Sequence, residues 1–271
     1  MEPPRSLEPF LKWPGGKRYL AYRLTGLMPT AFGRYFEPFL GSGAIYFALA
    51  PKAAVLGDHN EELVDCFEQV KDNCEEVVAH LRTMPNTEAD YYRIRASDPS
   101  SPSERAARLI YLVKLAFNGI YRVNGHTGRF NVPYGQHPDR VILDPENLLA
   151  ASKALTAAVF RRGDFETTVE DAIKGDVVYF DPPYTVAHNS NGFVRYNTAL
   201  FTWADQERLA TLATRLVSRG CYVVVSNACH KSLRPLYEGF QVRRIRRFST
   251  MSADPDYRRR ITENVFVGAP K

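Results

Sequence analysis

The chain has 271 residues, 45% of them hydrophobic and 24% charged, which is enough to bury the core of one α/β domain with a large insertion. Lys and Arg outnumber Asp and Glu by 35 to 30, and the formal charge of +5 favours a polyanionic partner without requiring one. No stretch reaches the ~18 uninterrupted apolar residues of a membrane helix, and the first residues lack the apolar segment of a signal peptide. We therefore expect a cytoplasmic protein without membrane association.

The cysteines and histidines give no sign of a metal site. The four cysteines are far apart and form no Cys-x-x-Cys pair, and the six histidines are dispersed. This spacing favours reduced thiols, does not indicate a disulfide framework or a zinc ribbon, and predicts catalysis without a metal.

The first part of the chain has the pattern of a βαβ unit. A short apolar segment at 34–39 predicts a strand, the glycines that follow predict a turn, and a helix at 44–50 leads to a second strand at 53–58. Asn60 then predicts the N-cap of a helix extending to about residue 70. These elements indicate the start of a mostly parallel sheet.

The middle of the chain, roughly 72–160, shows helix and loop signals instead of strand signals. Ser101 and Glu104 have the spacing of a capping box, and Pro102 at the first helical position supports an amphipathic helix there. Between residues 117 and 135, glycines, asparagines and aromatics alternate without helical period, which predicts a β-ribbon or an ordered loop.

The α/β pattern returns in the last third. The run 176–181 predicts a buried strand, 204–218 a helix closed by Gly220, and 221–226 another strand. Two further strands, at 240–248 and 264–267, are typical of an antiparallel pair at one edge of a parallel sheet.

Three short segments have residues that suit chemistry at such a sheet. Asp181-Pro182-Pro183-Tyr184 follows a buried strand at the edge where open α/β folds bind ligands, although the same residues also suit a plain polar turn. The Glu37–Gly43 segment places an acid before a glycine turn that lets a ligand approach the backbone, but Gly-x-Gly also occurs by chance. The segment 10–17 places Trp13 and Lys17 around a Gly-Gly pair before a predicted helix that extends to about residue 27, or it simply leads into that helix.

In this order, with the insert between the second and third, these segments resemble the Dam-type DNA adenine N6-methyltransferases (the alpha group, or D12 class). The shared motifs are Lys-Trp-x-Gly-Gly-Lys, Glu-Pro-Phe-x-Gly-x-Gly, Asn-Gly-x-x-Arg-x-Asn-x-x-Gly-x-Phe-Asn-x-Pro-Tyr-Gly and Asp-Pro-Pro-Tyr. The resemblance implies an α/β, class I S-adenosylmethionine-dependent methyltransferase fold, Rossmann-like with a mostly parallel sheet. It implies a catalytic domain of residues 1–60 and 160–271 and a helical DNA target-recognition insert at 61–159.

The resemblance also implies how the methyl donor, S-adenosylmethionine, is held. Asp58 suits the ribose diol, with helix capping as its alternative, and Asp164 with Phe165 resembles an element for the adenine end, although turn chemistry explains that pair equally well. The full set of implied cofactor residues is Trp13, Lys17, Glu37, Phe39, Gly41, Gly43, Asp58, Asp164, Phe165 and Asp181.

The catalytic residues implied are Asp181, Pro182, Pro183 and Tyr184. The amine of adenine is a weak nucleophile because its lone pair is conjugated with the ring. Asp181 and the carbonyl of Pro182 can accept its two hydrogens and favour a pyramidal nitrogen. The prolines carry no competing N–H, and Tyr184 offers a face to an extruded base. Whether Asp181 also takes the proton stays open.

DNA contacts are expected in the insert and beside the first motif. Arg and Asn are the side chains that read guanine and adenine edges, and aromatic rings can enter a base step. The candidates are Lys12, Asn118, Tyr121, Arg122, Asn124, Arg129 and Asn131, of which the resemblance favours Arg122 and Lys12 as base readers, while some of the others simply build turns.

Two more segments have open interpretations. Arg243, Arg244, Arg246 and Arg247 alternate with apolar residues, which suits phosphate contacts or a charged edge strand. The segment 185–199 is predicted to be a mobile loop that orders over DNA or a flexible connector.

The predicted reaction is methylation of adenine N6 in duplex DNA, at GATC or another GAT-containing site. The alternatives are exocyclic cytosine N4 methylation, which uses the same chemistry, a catalytically silent DNA-binding module, and RNA or protein amine methylation. The other expectations are a monomer of bacterial or phage origin and a cognate restriction endonuclease acting independently.

Overall fold

The structure is a computed structural model that describes residues 7–185, 201–248 and 260–270. Within these residues the strands form one seven-stranded sheet in the order β3-β2-β1-β4-β5-β7-β6. The strands are β1 (Tyr35–Glu37), β2 (Ala54–Asp58), β3 (Ala158–Arg162), β4 (Val177–Phe180), β5 (Tyr222–Ala228), β6 (Gln241–Phe248) and β7 (Arg260–Gly268).

The first five strands are parallel and the last two close the sheet in the opposite sense. β1 pairs in parallel with β2 and β4, β2 with β3, and β4 with β5. β7 is antiparallel to both β5 and β6, which confirms the predicted antiparallel pair at the edge. The carboxyl ends of β1, β2, β3 and β4 therefore meet along one edge of the sheet, where the candidate site lies.

The helices follow the strands as the apolar pattern predicts. They are α1 (Ala21–Thr25), α2 (Ala44–Leu49), α3 (Glu61–Asp72), α4 (Cys74–Arg82), α5 (Glu88–Ala96), α6 (Pro102–Leu115), α7 (Pro145–Leu155), α8 (Phe165–Thr168) and α9 (Trp203–Ser218). The Asn60 side chain accepts a hydrogen bond from the Leu63 backbone, which confirms it as the N-cap of α3. Short 3-10 turns occur at Arg18–Leu20, Phe117–Gly119 and Arg234–Tyr237.

Successive strand residues face opposite layers, so the sheet has a helical layer on each side. In β4, Val177 and Tyr179 pack in a buried cluster with α1, α3, α4, α6 and α7. Val178 and Phe180, which alternate with them, pack with α8 and α9 in a second buried cluster. Both faces of the parallel strands are covered, as their nearly unbroken apolar sequences indicate.

Three details differ from expectation. The capping box at Ser101 is wrong: no side-chain cap bond is made there, because the Ser101 hydroxyl bonds instead to that of Ser103, although Pro102 does begin α6. The first helix was expected to extend to about residue 27, whereas α1 ends at Thr25. Strand β3 was not predicted, because it is a sheet edge whose Val159 is 59% exposed and whose last residues are arginines.

The insert helices share their core with the sheet. Helices α3, α4, α6 and α7 lie in the same buried cluster as one face of the strands, so the division at residues 61–159 stays a prediction about recognition. From residue 186 onward, the segment expected to be a mobile loop lies outside the described residues. Among the helices of the described residues, none is long and apolar enough to cross a membrane.

Candidate active site

A glycine turn and a carboxylate lie together after β1 and β2. Gly41 and Gly43 have positive φ angles of 50° and 67°, a conformation that glycine adopts without steric cost. The Gly41 N–H donates to Asp58 Oδ2 at 3.1 Å, and the Asn60 N–H donates to Asp58 Oδ1 at 3.0 Å. Burial raises the pKa of Asp58 and these backbone bonds oppose the rise. Asp58 is thus held at the turn, and the cap of α3 is Asn60.

Glu37 ends β1 as a buried acid beneath this turn. Its Oε2 accepts hydrogen bonds from the Tyr35 hydroxyl at 3.0 Å and from the Tyr46 N–H at 3.2 Å. Burial raises the pKa of Glu37 well above its usual range; the bond from Tyr35 lowers it and the Asp181 charge adds to the rise. The side chain therefore fixes the start of α2 against β1.

Aromatic rings from the segments after β1 and β3 pack together with a third ring, that of Phe201. The Phe39 ring stacks on Phe165 with centroids 5.5 Å apart and meets Phe201 edge-on at 5.6 Å. Asp164 caps α8 through the Glu166 N–H at 2.9 Å and pairs with Arg208 at 3.0 Å. The predicted turn chemistry of Asp164 is therefore confirmed, while its part in holding a cofactor stays a prediction.

Charged side chains of the site cluster at the loop after β4. The Lys17 ammonium lies 2.9 Å from Asp181 Oδ1 and donates to the Tyr184 hydroxyl at 2.8 Å. It also lies 4.8 Å from the centroid of the Tyr184 ring. The Lys17 side chain is only 5% exposed, so this ion pair is shielded from water. The first and third sequence motifs therefore meet at one point.

A buried acid outside the predicted motifs completes this cluster. Glu263 on β7 is fully buried, and its Oε2 lies 3.7 Å from the Lys17 ammonium. The predicted strand began at Asn264 and excluded it. The only signal in the sequence was an acid next to an apolar run. That signal is weak, because carboxylates are rarely buried unless they are paired.

The buried polar residue Gln206 supports the same loop from the other side. Its side-chain amide donates to the Thr185 hydroxyl at 3.0 Å and reaches the Pro183 carbonyl at 3.5 Å. Its own oxygen accepts a bond from Asn227 at 2.9 Å. Pro182 is buried and Pro183 is partly exposed. Helix α9 and strand β5 therefore both hold the loop in place.

The insert reaches the site through Trp13. The Trp13 and Tyr121 rings stack with centroids 4.7 Å apart, and the Tyr121 hydroxyl donates to Glu62 at 2.8 Å. A predicted cofactor residue and a predicted DNA residue are thus neighbours. Lys12 lies over Gly119, and partial burial together with the Arg140 charge lowers the pKa of Lys12.

A cleft of about 1050 Å³ opens next to this contact. Trp13 and Ser42 on its wall border the glycine turn, while Lys12 and Asn118 belong to the predicted DNA contacts. Arg140 adds a further cation to its lining. Trp13 is the one predicted cofactor residue on its wall, so the cleft lies beside the glycine turn and does not include Asp181.

The remaining predicted DNA residues lie on the ribbon of the insert. Backbone bonds from Asn124 to Arg129 and from Asn131 to Arg122 confirm a short ribbon there. The Arg122 side chain is exposed and donates to Asn131 Oδ1 at 2.7 Å, whereas Asn124 caps the turn through the His126 and Thr127 N–H groups. Arg129 is exposed. Their roles on DNA stay predictions.

The fold and this edge of parallel strands define a class I methyltransferase. A sequence profile of the D12 class N6 adenine-specific DNA methyltransferases matches residues 13–251. The chain belongs to this family and is an adenine-specific DNA methyltransferase.

Three relatives extend the comparison. The chain is 39% identical to the type II methyltransferase M1.LlaDCHI of Lactococcus lactis subsp. cremoris, over 95% of this chain and 94% of the relative. It is 32% identical to the type II methyltransferase M.MjaIII of Methanocaldococcus jannaschii, over 88% and 91%. It is 31% identical to a DNA adenine methylase of Haemophilus influenzae, over 100% and 97%.

Proposed function

We propose that the protein transfers the methyl group of S-adenosylmethionine to N6 of an adenine flipped out of duplex DNA. The observation that carries this proposal is the cluster of Asp181, Lys17 and Tyr184 at the end of β4, on the same sheet edge as the glycine turn and Asp58. The Lys17 ammonium, 2.9 Å from Asp181, holds this carboxylate where it would accept hydrogen bonds from a target amine.

The side chains on this edge fit S-adenosylmethionine. Asp58 offers carboxylate oxygens to a ribose diol next to backbone that Gly41 leaves without a Cβ. The rings of Phe39 and Phe165 supply an apolar wall for an adenine, and the Trp13 ring packs against Gly41 of the turn. When bound, the cofactor supplies a sulfonium-activated methyl group.

The loop after β4 suits the acceptor. Asp181 and the Pro182 carbonyl would accept the two hydrogens of an adenine amine, and this weakens conjugation of the nitrogen lone pair with the ring. The prolines present no N–H that would compete for these acceptors. Tyr184, held by Lys17, gives an extruded base an aromatic neighbour.

The target proposed is GATC or another GAT-containing site. It depends on the ribbon of the insert, where the exposed Arg122 and the half-buried Asn131 have side-chain groups complementary to the donors and acceptors that guanine and adenine present in the major groove. We also infer a monomer, and a restriction endonuclease that acts independently, since two relatives are named type II methyltransferases.

Sequencing of native plasmid DNA from a methylation-free host that expresses the protein tests the proposal. We expect N6-methyladenine at one recurring GAT-containing motif. N4-methylcytosine would keep the chemistry and overturn the base. The absence of any modified base, with folded protein verified in the same cells, would favour a silent DNA-binding module or a substrate other than DNA.

A further inference from the structure

Glu263 is a buried acid whose carboxylate reaches the active site from β7, whereas Asp181 follows β4. It lies on β7, where its backbone pairs with Ala228 of β5 on one side and Ile245 of β6 on the other. Strands on both sides hold its backbone, and its side chain is 1% exposed. Its carboxylate is thus fixed in position relative to the sheet.

The partner of Glu263 is the ammonium group that also holds Asp181. Lys17 Nζ lies 3.7 Å from Glu263 Oε2, 2.9 Å from Asp181 Oδ1 and 2.8 Å from the Tyr184 hydroxyl. A lysine side chain has four flexible methylenes and is costly to bury without paired charges. A carboxylate on β7 and another in the loop after β4 limit where this ammonium can lie.

The charge of the cluster also matters for the reaction. Two carboxylates and one ammonium carry a net charge of −1 when all three are ionised, whereas Lys17 with Asp181 alone would be neutral. Positive charge develops on the target nitrogen as it takes the methyl group, and a net negative charge nearby stabilises it. Glu263 therefore leaves Asp181 more of its capacity to accept hydrogen bonds from the amine.

We propose that Glu263 is a positioning residue for methyl transfer, which shares the Lys17 ammonium with Asp181 and so keeps Asp181 and Tyr184 in place for the adenine amine. The proposal deepens the proposed function and rests on it. Glu263 acts through Lys17 and needs no contact with DNA or with the cofactor.

The test uses the full-length protein with the substitutions Glu263→Gln and Glu263→Asp. Single-turnover methyl transfer to a DNA duplex carrying the site found by sequencing is expected to slow about 10-fold or more in Glu263→Gln. Dissociation constants for DNA and S-adenosylmethionine are expected to stay within about threefold. Glu263→Asp is expected to recover part of the rate, because the flexible Lys17 chain can follow a shorter acid. Glu238→Gln, the same change at an exposed acid, should leave the rate unchanged.

A double-mutant cycle with Lys17→Met separates this role from a purely structural one. If Glu263 acts through Lys17, Glu263→Gln slows transfer no further in the Lys17→Met background. If the rate losses of Glu263→Gln and Lys17→Met multiply in the double variant, the proposal is overturned. It is also overturned if Glu263→Gln is less stable but transfers methyl at the wild-type rate per folded molecule. If Glu263→Gln does not fold, the cycle is run with folded Glu263→Asp, which is expected to transfer methyl more slowly than wild type. Either a wild-type rate in that variant, or a loss that multiplies with the loss of Lys17→Met, overturns the proposal.

The wild-type protein tells the two proposals apart. If it transfers no methyl group to DNA, the proposed function fails. If it transfers methyl to adenine and Glu263→Gln does so equally fast, only the role of Glu263 is lost.

Discussion

The ammonium group of Lys17 and the carboxylate of Asp181 lie 2.9 Å apart, although one precedes the first helix and the other follows β4. This ion pair joins two motifs that the sequence separates by the whole recognition insert. Because the Tyr184 hydroxyl accepts from the same ammonium, the N-terminal segment directly controls the geometry of the loop after β4.

Arg122 is expected to read a base pair of the target site. Arg122→Ala removes an exposed guanidinium that Asn131 orients at 2.7 Å, so discrimination at one base pair should fall by about 1–3 kcal/mol. Methylation rates on duplexes with each base pair substituted in turn measure this. Arg93→Ala, on α5 and paired only with its own helix neighbour Asp90 among the contacts described, is the matched control. Equal discrimination in the Arg122 variant would place base reading elsewhere.

Glu37 should make the stability of the protein depend on pH. Because burial raises its pKa in the folded state, the folded protein binds this proton more tightly than the unfolded chain. The resulting stability is present below the ordinary value of 4.5 and is lost as pH rises toward the folded-state value. Glu37→Gln keeps an acceptor for Tyr35 and Tyr46 without this loss.

The melting temperature of Glu37→Gln relative to wild type should therefore rise by about 2–4 °C or more between pH 4.5 and 7.5. Thermal unfolding of both proteins across this range measures the effect. Glu75→Gln, at an exposed acid of α4, should show no such trend. If the difference in melting temperature between Glu37→Gln and wild type stays constant with pH, burial of Glu37 does not make the stability of the protein depend on pH.

Gln206 should contribute both to stability and to the rate. Gln206→Leu leaves the buried Asn227 without its acceptor and the half-buried Thr185 without its donor, which should cost about 1–3 kcal/mol of unfolding free energy. Methyl transfer should slow as well, because the loop after β4 loses its support from α9. Denaturant unfolding and single-turnover rates measure the two effects, with Gln69→Leu on α3 as the control. A wild-type rate in a destabilised variant would restrict Gln206 to the fold.

Much of the fold is predictable because its signals are local. Val177–Phe180 is a continuous apolar run, and the glycines at 41 and 43 mark a turn that few other residues could adopt. Strand β3 gave no such signal, because an edge strand with exposed Val159 and terminal arginines lacks both a full apolar run and a regular alternation. Its position is set by pairing with β2.

The candidate site likewise has residues that the sequence predicts and contacts that it does not. Asp181, Lys17 and Asp58 lie in recognisable motifs, so their presence at one sheet edge could be predicted. The contact of Glu263 with Lys17 depends on the register of β7 between β5 and β6, which no local pattern encodes. The stacking of Trp13 on Tyr121 likewise requires the path of the insert relative to the N-terminal segment.

We expect Asp181 to serve methyl transfer to adenine N6. The most direct measurement is the amount of N6-methyladenine formed in duplex DNA by wild type, Asp181→Asn and Asp181→Ala, quantified by mass spectrometry of the nucleosides. We predict N6-methyladenine from wild type and at least about a 100-fold lower rate from both variants. Both variants should still fold and bind DNA, with a lower melting temperature because the buried Lys17 loses one of its two carboxylates. Wild-type rates in either variant, or N4-methylcytosine as the product of the wild-type protein, would contradict the account.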